Sequence, residues 1–197
     1  MKGELRMNKY KEVFSEFEVK ETSIRVGSEE ASELIGCVGE SEETLDTRVI
    51  IKKCEGRIKK RKVRGAGTGK LRLSLHMKYS LFVKTLGMYF EEAKPGVYSY
   101  GEASKHEEFC ITQKVLDEEG NLKYKAYPRA IIEEGITRKV KNGEEEVAEI
   151  ALNISLLPDE KYGQCVYEAI ASILEDADLK EQWMSNFNAE DTYIVEA

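Results

Sequence analysis

A chain of 197 residues with 41% hydrophobic side chains and a net charge of −7 is long enough for one compact domain and too apolar to be globally disordered. No apolar run approaches the ~20 residues of a membrane-spanning helix, and the polar stretch from Met1 to Tyr10 lacks the apolar region of a secretory signal. The expected product is therefore cytoplasmic, without a membrane partner. Residues 1–33 come first. Val13, Phe14, Phe17 and Val19 mix helical and strand spacing, so an N-terminal arm or short strand fits as well as a helix.

From Leu45 to Arg64 the β-branched residues Val49, Ile50, Ile51, Ile58 and Val63 predict one long basic strand. Gly65-Ala66-Gly67-Thr68-Gly69 then predicts a flexible loop. Leu71, Leu73 and Leu75 alternate with Lys70, Arg72, Ser74 and His76, the period of a half-buried strand. A short helix is expected after Ser80, with Gly87 near its end. Glu91 to Lys105, with Pro95-Gly96 and Gly101, is expected to be loop; its neighbourhood carries Tyr89, Tyr98 and Tyr100, either interface anchors or half-buried loop residues.

Phe109, Ile111, Gln113 and Val115 begin a hairpin that turns over Asp117–Asn121 and returns through Leu122, Tyr124 and Ala126. A further strand is predicted over 131–140, closed by the turn dipeptide Asn142-Gly143. Ala148, Ile150, Leu152, Ile154 and Leu156 mark the next strand, stopped by Pro158. Val166, Ile170, Ile173 and Leu174 fall on one face of an expected helix, and a second helical piece is expected from Asp178, capped by its side chain. Leu179, Trp183 and Phe187 form a stripe that packs either on its own domain or on a neighbour. The fold class is mainly β (α+β): an antiparallel β-sandwich or barrel with a short helix and a C-terminal helical segment.

Charge is strongly segregated. Thr47 to Lys84 holds thirteen Lys or Arg against one acid, Glu55, a local net of +12, while Gly27 to Thr47 holds seven acids and no base. Such a molecule offers complementary surfaces to copies of itself. The basic residues Arg57, Lys59, Lys60, Arg61, Lys62 and Arg64, with Lys70 beyond the glycines, are the candidate contact residues between subunits. A nucleic-acid-binding module using residues 57–64 is the alternative, although the segment lacks interleaved aromatics.

The glycine-rich segment is not a phosphate loop. The positions that need Gly and Ser or Thr hold Arg64 and Leu71, and a strand follows rather than a helix. No Ser/His/Asp set or H-E-x-x-H motif is present, and no enzyme is expected. Cys37, Cys54, Cys110, Cys165, His76 and His106 are scattered without metal-ligand spacing, so neither a metal nor a cofactor is expected and the cysteines read as reduced.

Cys54-Glu55-Gly56 and the run from Arg64 to His76 resemble the major tail tube proteins of long-tailed phages of Gram-positive bacteria. So do Lys105–Phe109, Val115–Gly120, Lys123–Pro128, Val147–Ile150 and Leu157–Glu160, in order over roughly residues 35–187. The resemblance implies a tail-tube β-sandwich domain over 34–187 with peripheral helices, and a C-terminal tail over 188–197. It implies a virion structural subunit, assembled in the host cytoplasm as homo-hexameric rings stacked into a tube. The tube forms around a tape-measure protein and meets terminator and baseplate proteins, and DNA passes through its lumen without sequence-specific binding. The same subunit type occurs in tubes of phage-derived bacteriocins. The family carries no catalytic residues.

Overall fold

The computed structural model describes residues 10, 12–89, 93–135, 138, 140, 142–143 and 147–194. Its strands are β1 (Glu16–Val26), β2 (Glu33–Leu34), β3 (Gly36–Cys54), β4 (Arg57–Met77), β5 (Phe109–Asp117), β6 (Leu122–Ile132), β7 (Ile150–Leu157) and β8 (Tyr167–Ile170). Two short helices, α1 (Tyr79–Thr85) and α2 (Ala177–Gln182), and a 3-10 turn at Ala189–Thr192 complete it. Every strand pairing is antiparallel, in the order β2-β1-β5-β6-β7-β4-β3. The mainly antiparallel β architecture expected from the alternating patterns is what forms.

Strand β6 is the corner of the fold. Its first half, Lys123–Ala126, pairs with β8, and its second half, Arg129–Ile132, pairs with β7. One strand thus serves two sheet segments, the usual device for folding a sheet over its own core. The main core lies on one face of the sheet. Leu71, Leu73 and Leu75 of β4 and Leu152, Ile154 and Leu156 of β7 meet Ile24, Ile111, Tyr127 and Ile132 there. Helix α1 fills that space with Leu81, Phe82 and Val83.

Helix α1 ends at a glycine. The amides of Gly87 and Met88 donate to the carbonyls of Lys84 and Val83, and Gly87 takes φ +58°. This 6→1 and 5→2 pair of bonds is a Schellman stop, which needs a left-handed residue.

A second core covers the opposite face of β5 and β6. Leu179, Trp183, Met184 and Phe187 pack on Cys110, Tyr124 and Ala126. The indole N–H of Trp183 donates to the carbonyl of Lys125 at 3.1 Å. The C-terminal stripe therefore packs on its own domain, and β5 and β6 are buried on both faces.

Several predicted elements differ. The single strand expected over 45–64 is two strands, because Glu55 (φ +52°) and Gly56 (φ +74°) make a two-residue hairpin turn. Two successive left-handed residues are the geometry of a type I′ turn, whose twist suits a ribbon. The glycine loop expected over 65–69 is strand: Leu45 pairs with Gly69 and Thr47 with Gly65, so Ala66-Gly67-Thr68 bulge opposite Asp46. Thr68 Oγ1 donates to Asp46 Oδ2 at 2.8 Å, holding that bulge.

The expected helix through Val166 and Leu174 is instead strand β8 followed by a turn. The open edge of β6 captures Tyr167–Ile170, and Tyr167 and Ala169 pack two apart on the second core; tertiary pairing overrides local spacing. The strand expected over 131–140 ends at Ile132, with 136, 137 and 139 outside the described residues. Asp176, rather than Asp178, caps α2, its side chain accepting from the Leu179 amide at 2.9 Å. Within the N-terminal 33 residues, 16–26 form β1; residues 1–9 and 11 lie outside the described set, as do 195–197 of the tail.

Candidate functional site

Beyond the body of the sheet, β3 and β4 continue as a two-stranded ribbon. Strand β4 pairs with β7 only from Gly69 to Leu75, so among the described residues β3 is the one strand that pairs with residues 57–68. From Thr47 to its turn the ribbon runs roughly 27 Å, at ~3.4 Å per residue. All its side chains from Arg48 to Arg64 are exposed. An isolated two-stranded ribbon is marginal in water.

Register decides which residues share a face, since directly opposed residues point the same way. Val49 opposes Val63, Ile51 opposes Arg61, and Lys53 opposes Ile58 beyond a bulge at Lys59. That face is largely aliphatic: Val63 and Ile58 are each 58% exposed. The other face pairs Arg48 with Arg64, Ile50 with Lys62, Lys52 with Lys60 and Cys54 with Arg57. It is a column of cations. Among the described residues, no carboxylate forms an ion pair with any of them. Like charges placed directly opposite each other oppose pairing, so the ribbon carries an electrostatic strain that an acidic surface would relieve.

Six of the seven candidate contact residues, Arg57, Lys59, Lys60, Arg61, Lys62 and Arg64, therefore stand together on the ribbon. Lys70 does not. It sits in the sheet opposite Ser155 and lines a shallow depression with Glu42, Glu133 and Glu134. Sequence reasoning missed that Arg48, Lys52 and Lys53 belong to the same patch from the facing strand. The signal was Glu55-Gly56, a turn dipeptide between two basic runs.

The second feature is a groove that sequence reasoning did not find. The edge of β1 away from β5 is covered by β2 only at Ser23 and Ile24. The edge of β3 away from β4 pairs with no strand among the described residues. These two edges flank a groove of about 570 Å³, floored by Gln113, Val115 and Lys125. Five carboxylates (Glu16, Glu18, Glu21, Glu40 and Glu43) line it against two ammonium groups, Lys20 and Lys125.

The floor is braced by charge. Lys125 is buried and its Nζ lies 3.0 Å from Glu43, 3.4 Å from Glu16 and 3.5 Å from Glu168. Lys123 joins Glu16 and Glu168, and the Tyr127 hydroxyl donates to Glu43. Burial works against the charge of Lys125, but its hydrogen bond to Glu43 and the surrounding carboxylates outweigh this and raise its pKa. Burial likewise raises Glu16, yet Lys123 and Lys125 pull its carboxyl below the ordinary range. The Tyr127 hydroxyl is pushed upward by burial and by Glu43. The cluster is a brace joining β1, β3, β6 and β8.

The chain matches no protein-family model and no curated protein sequence. One similar solved structure is the cap of an anti-feeding prophage, which terminates the tube of that particle. The two share 10% identity with a TM-score of 0.39, over 81% of this chain and 96% of the cap.

Among the described residues, no three His, Cys, Asp or Glu side chains converge as a metal cluster, and no helix is long and apolar enough to cross a membrane. Cys37 and Cys54 are exposed thiols on the groove wall and the ribbon; Cys110 and Cys165 are buried. Tyr79 and Tyr89 each meet Tyr98 edge-on, and Tyr100 pairs its hydroxyl with His106 Nε2 at 2.9 Å.

Proposed function

We propose that this protein is a non-enzymatic structural subunit of a phage tail tube, assembling as hexameric rings that stack around a DNA-conducting lumen. The observation that carries this reading is the ribbon. It projects from the domain with one aliphatic and one cationic face and no partner in its own described chain. Burying its half-exposed Val and Ile side chains would contribute on the order of 1 kcal/mol each, a reward available only through another molecule. The ordered resemblance to tail tube proteins over most of the chain supplies the geometry of that association.

A tube requires heterologous contacts, in which one patch meets a different patch and the pattern repeats. A basic projection and an acidic body on one chain meet that requirement. The partners proposed are copies of itself, the tape-measure protein, and the terminator and baseplate proteins at the tube ends, within a virion tail assembled in the host cytoplasm. A bacteriocin tube uses the same subunit logic. The ribbon's interleaved residues are aliphatic rather than aromatic, which favours a protein surface over single-stranded nucleic acid.

Negative-stain electron microscopy of the concentrated protein, alone and with its tape-measure partner, tests the proposal. Six-fold rings or tubes are expected. A strictly monomeric species under both conditions overturns it.

A further inference from the structure

We propose that the acidic groove between β1 and β3 is the receiving site for the basic ribbon of a second copy. The identity of the occupant rests on the assembly reading above; the location of the receiving site rests on the geometry of the groove.

Both groove walls are strand edges. From Glu16 to Glu21 on β1, and along Gly36–Glu43 on β3, no neighbouring strand among the described residues takes up the outward-facing amides and carbonyls. Open edges of this length invite a further strand. The ribbon brings two such edges of its own, because among the described residues 48–54 and 57–64 pair only with each other. Docking would therefore satisfy backbone groups on both partners.

The chemistry of the two surfaces is matched in sign and in kind. Groove carboxylates outnumber ammonium groups five to two, and the ribbon is cationic on both strands. Phe17, Val19, Val38 and Val115 add an apolar lining, and Phe17 is 77% exposed. Ribbon residues Val49, Ile51, Ile58 and Val63 present the corresponding aliphatic face.

The groove acids divide into two groups. Glu16, Glu21 and Glu43 are held by Lys123, Lys114 and Lys125. Glu18 and Glu40 are exposed; Glu18 meets only the exposed Lys20 at 3.8 Å, and Glu40 has no ion-pair partner among the described residues. Those two are the carboxylates free to receive ribbon cations. Because each copy carries one ribbon and one groove, the contact is heterologous and propagates.

The test uses two full-length variants whose charges fail alone and match together. One reverses the ribbon (Lys60→Glu, Arg61→Glu, Lys62→Glu). The other reverses the groove (Glu18→Lys, Glu40→Lys). All five positions are exposed, so circular dichroism and melting should match the wild type. Sedimentation velocity of each variant alone should show at least a tenfold rise in the concentration needed for self-association, and an equimolar mixture should restore it. Glu18→Gln with Glu40→Gln, a milder change, should weaken association severalfold.

Wild-type self-association that the groove variants leave unchanged overturns the inference, as does a mixture that fails to recover. A wild type that does not self-associate also overturns it, by removing the second copy as occupant. Microscopy separates this outcome from that of the tube. Rings insensitive to groove charge sink the docking site and leave the tube, whereas charge-dependent association without rings sinks the tube and leaves the docking site.

Discussion

Lys125 Nζ lies 3.0 Å from Glu43 Oε2, joining β6 to β3 across the floor of the groove. β6 lies in the interior of the sheet, while β3 runs on into the exposed ribbon. This ion pair thus anchors the root of the projecting element to the core. Lys125→Met strips Glu43 of its cation while leaving the Tyr127 hydroxyl bond. The variant should lose about 2–4 kcal/mol, because an unpaired, part-buried carboxylate remains. Adding Glu43→Gln should recover at least half, measured by urea denaturation.

The pH dependence follows from three depressed carboxyls. In Asp117 burial raises the carboxyl, but hydrogen bonds from the Asn121 side chain and from the turn amides outweigh it. Asp159 is pulled below the ordinary range because, although burial raises it, it accepts from the amides of Lys161, Tyr162 and Gln164 and from the Tyr167 hydroxyl. Glu16 is depressed by its lysines. A carboxyl whose folded pKa is depressed contributes stability that is present above its unfolded pKa and lost as pH falls through the folded value. Stability should therefore be level from about pH 5 to 8 and fall below about pH 4, near and under the ordinary carboxyl range. Asp159→Ala should cost about 2–3 kcal/mol at neutral pH by orphaning those donors. It should also flatten the acid limb of the melting curve.

Reversal of Lys60, Arg61 and Lys62 should abolish ring and tube formation by light scattering. The melting temperature should move by no more than the ~0.5 kcal/mol typical of exposed positions. Retained assembly would show that these cations merely face solvent. A steeply salt-sensitive gel shift with duplex DNA, lost in the same variant, would favour the nucleic-acid alternative instead.

Trp183 joins the second core to the sheet through its ring and its N–H. Trp183→Ala should cost about 3–5 kcal/mol, as for other large-to-small changes at buried aromatics. Trp183→Phe keeps much of the burial and loses the bond to Lys125, and should cost about 1–2 kcal/mol. Calorimetry distinguishes the two.

Two glycines should respond differently to alanine. At Gly87 an added Cβ would meet the Lys105 carbonyl oxygen at 2.0 Å, with φ at +58°. Backbone would have to move, and at least about 2 kcal/mol should be lost. At Gly56, with φ +74°, nothing lies within 4 Å. Only the left-handed conformation is penalised there, by about 1 kcal/mol, and the ribbon turn alone should loosen.

Elements whose apolar pattern matched their final burial were legible in advance. Leu71, Leu73 and Leu75 alternate because one face of β4 meets the core, and the hairpin at Asp117–Asn121 carries its own turn residues. Helix α1 was legible for a similar reason, since Gly87 stops it locally. The failures share a cause: the deciding partner lies far away in sequence. Tyr167–Ile170 becomes a strand because an edge of β6 is open to it. Ala66–Thr68 bulges rather than loops because Asp46 lies opposite.

By its own pattern the sequence determined an antiparallel β chain whose charges are segregated, because side-chain alternation and composition are local properties. It determined that the basic residues cluster, but not that they form a ribbon with two chemically distinct faces. That depended on register, where a shift of one residue moves a side chain to the opposite face. The acidic groove was decided by tertiary structure alone. Its walls come from β1 and β3 and its floor from β5 and β6, brought together only when the sheet curves over its core.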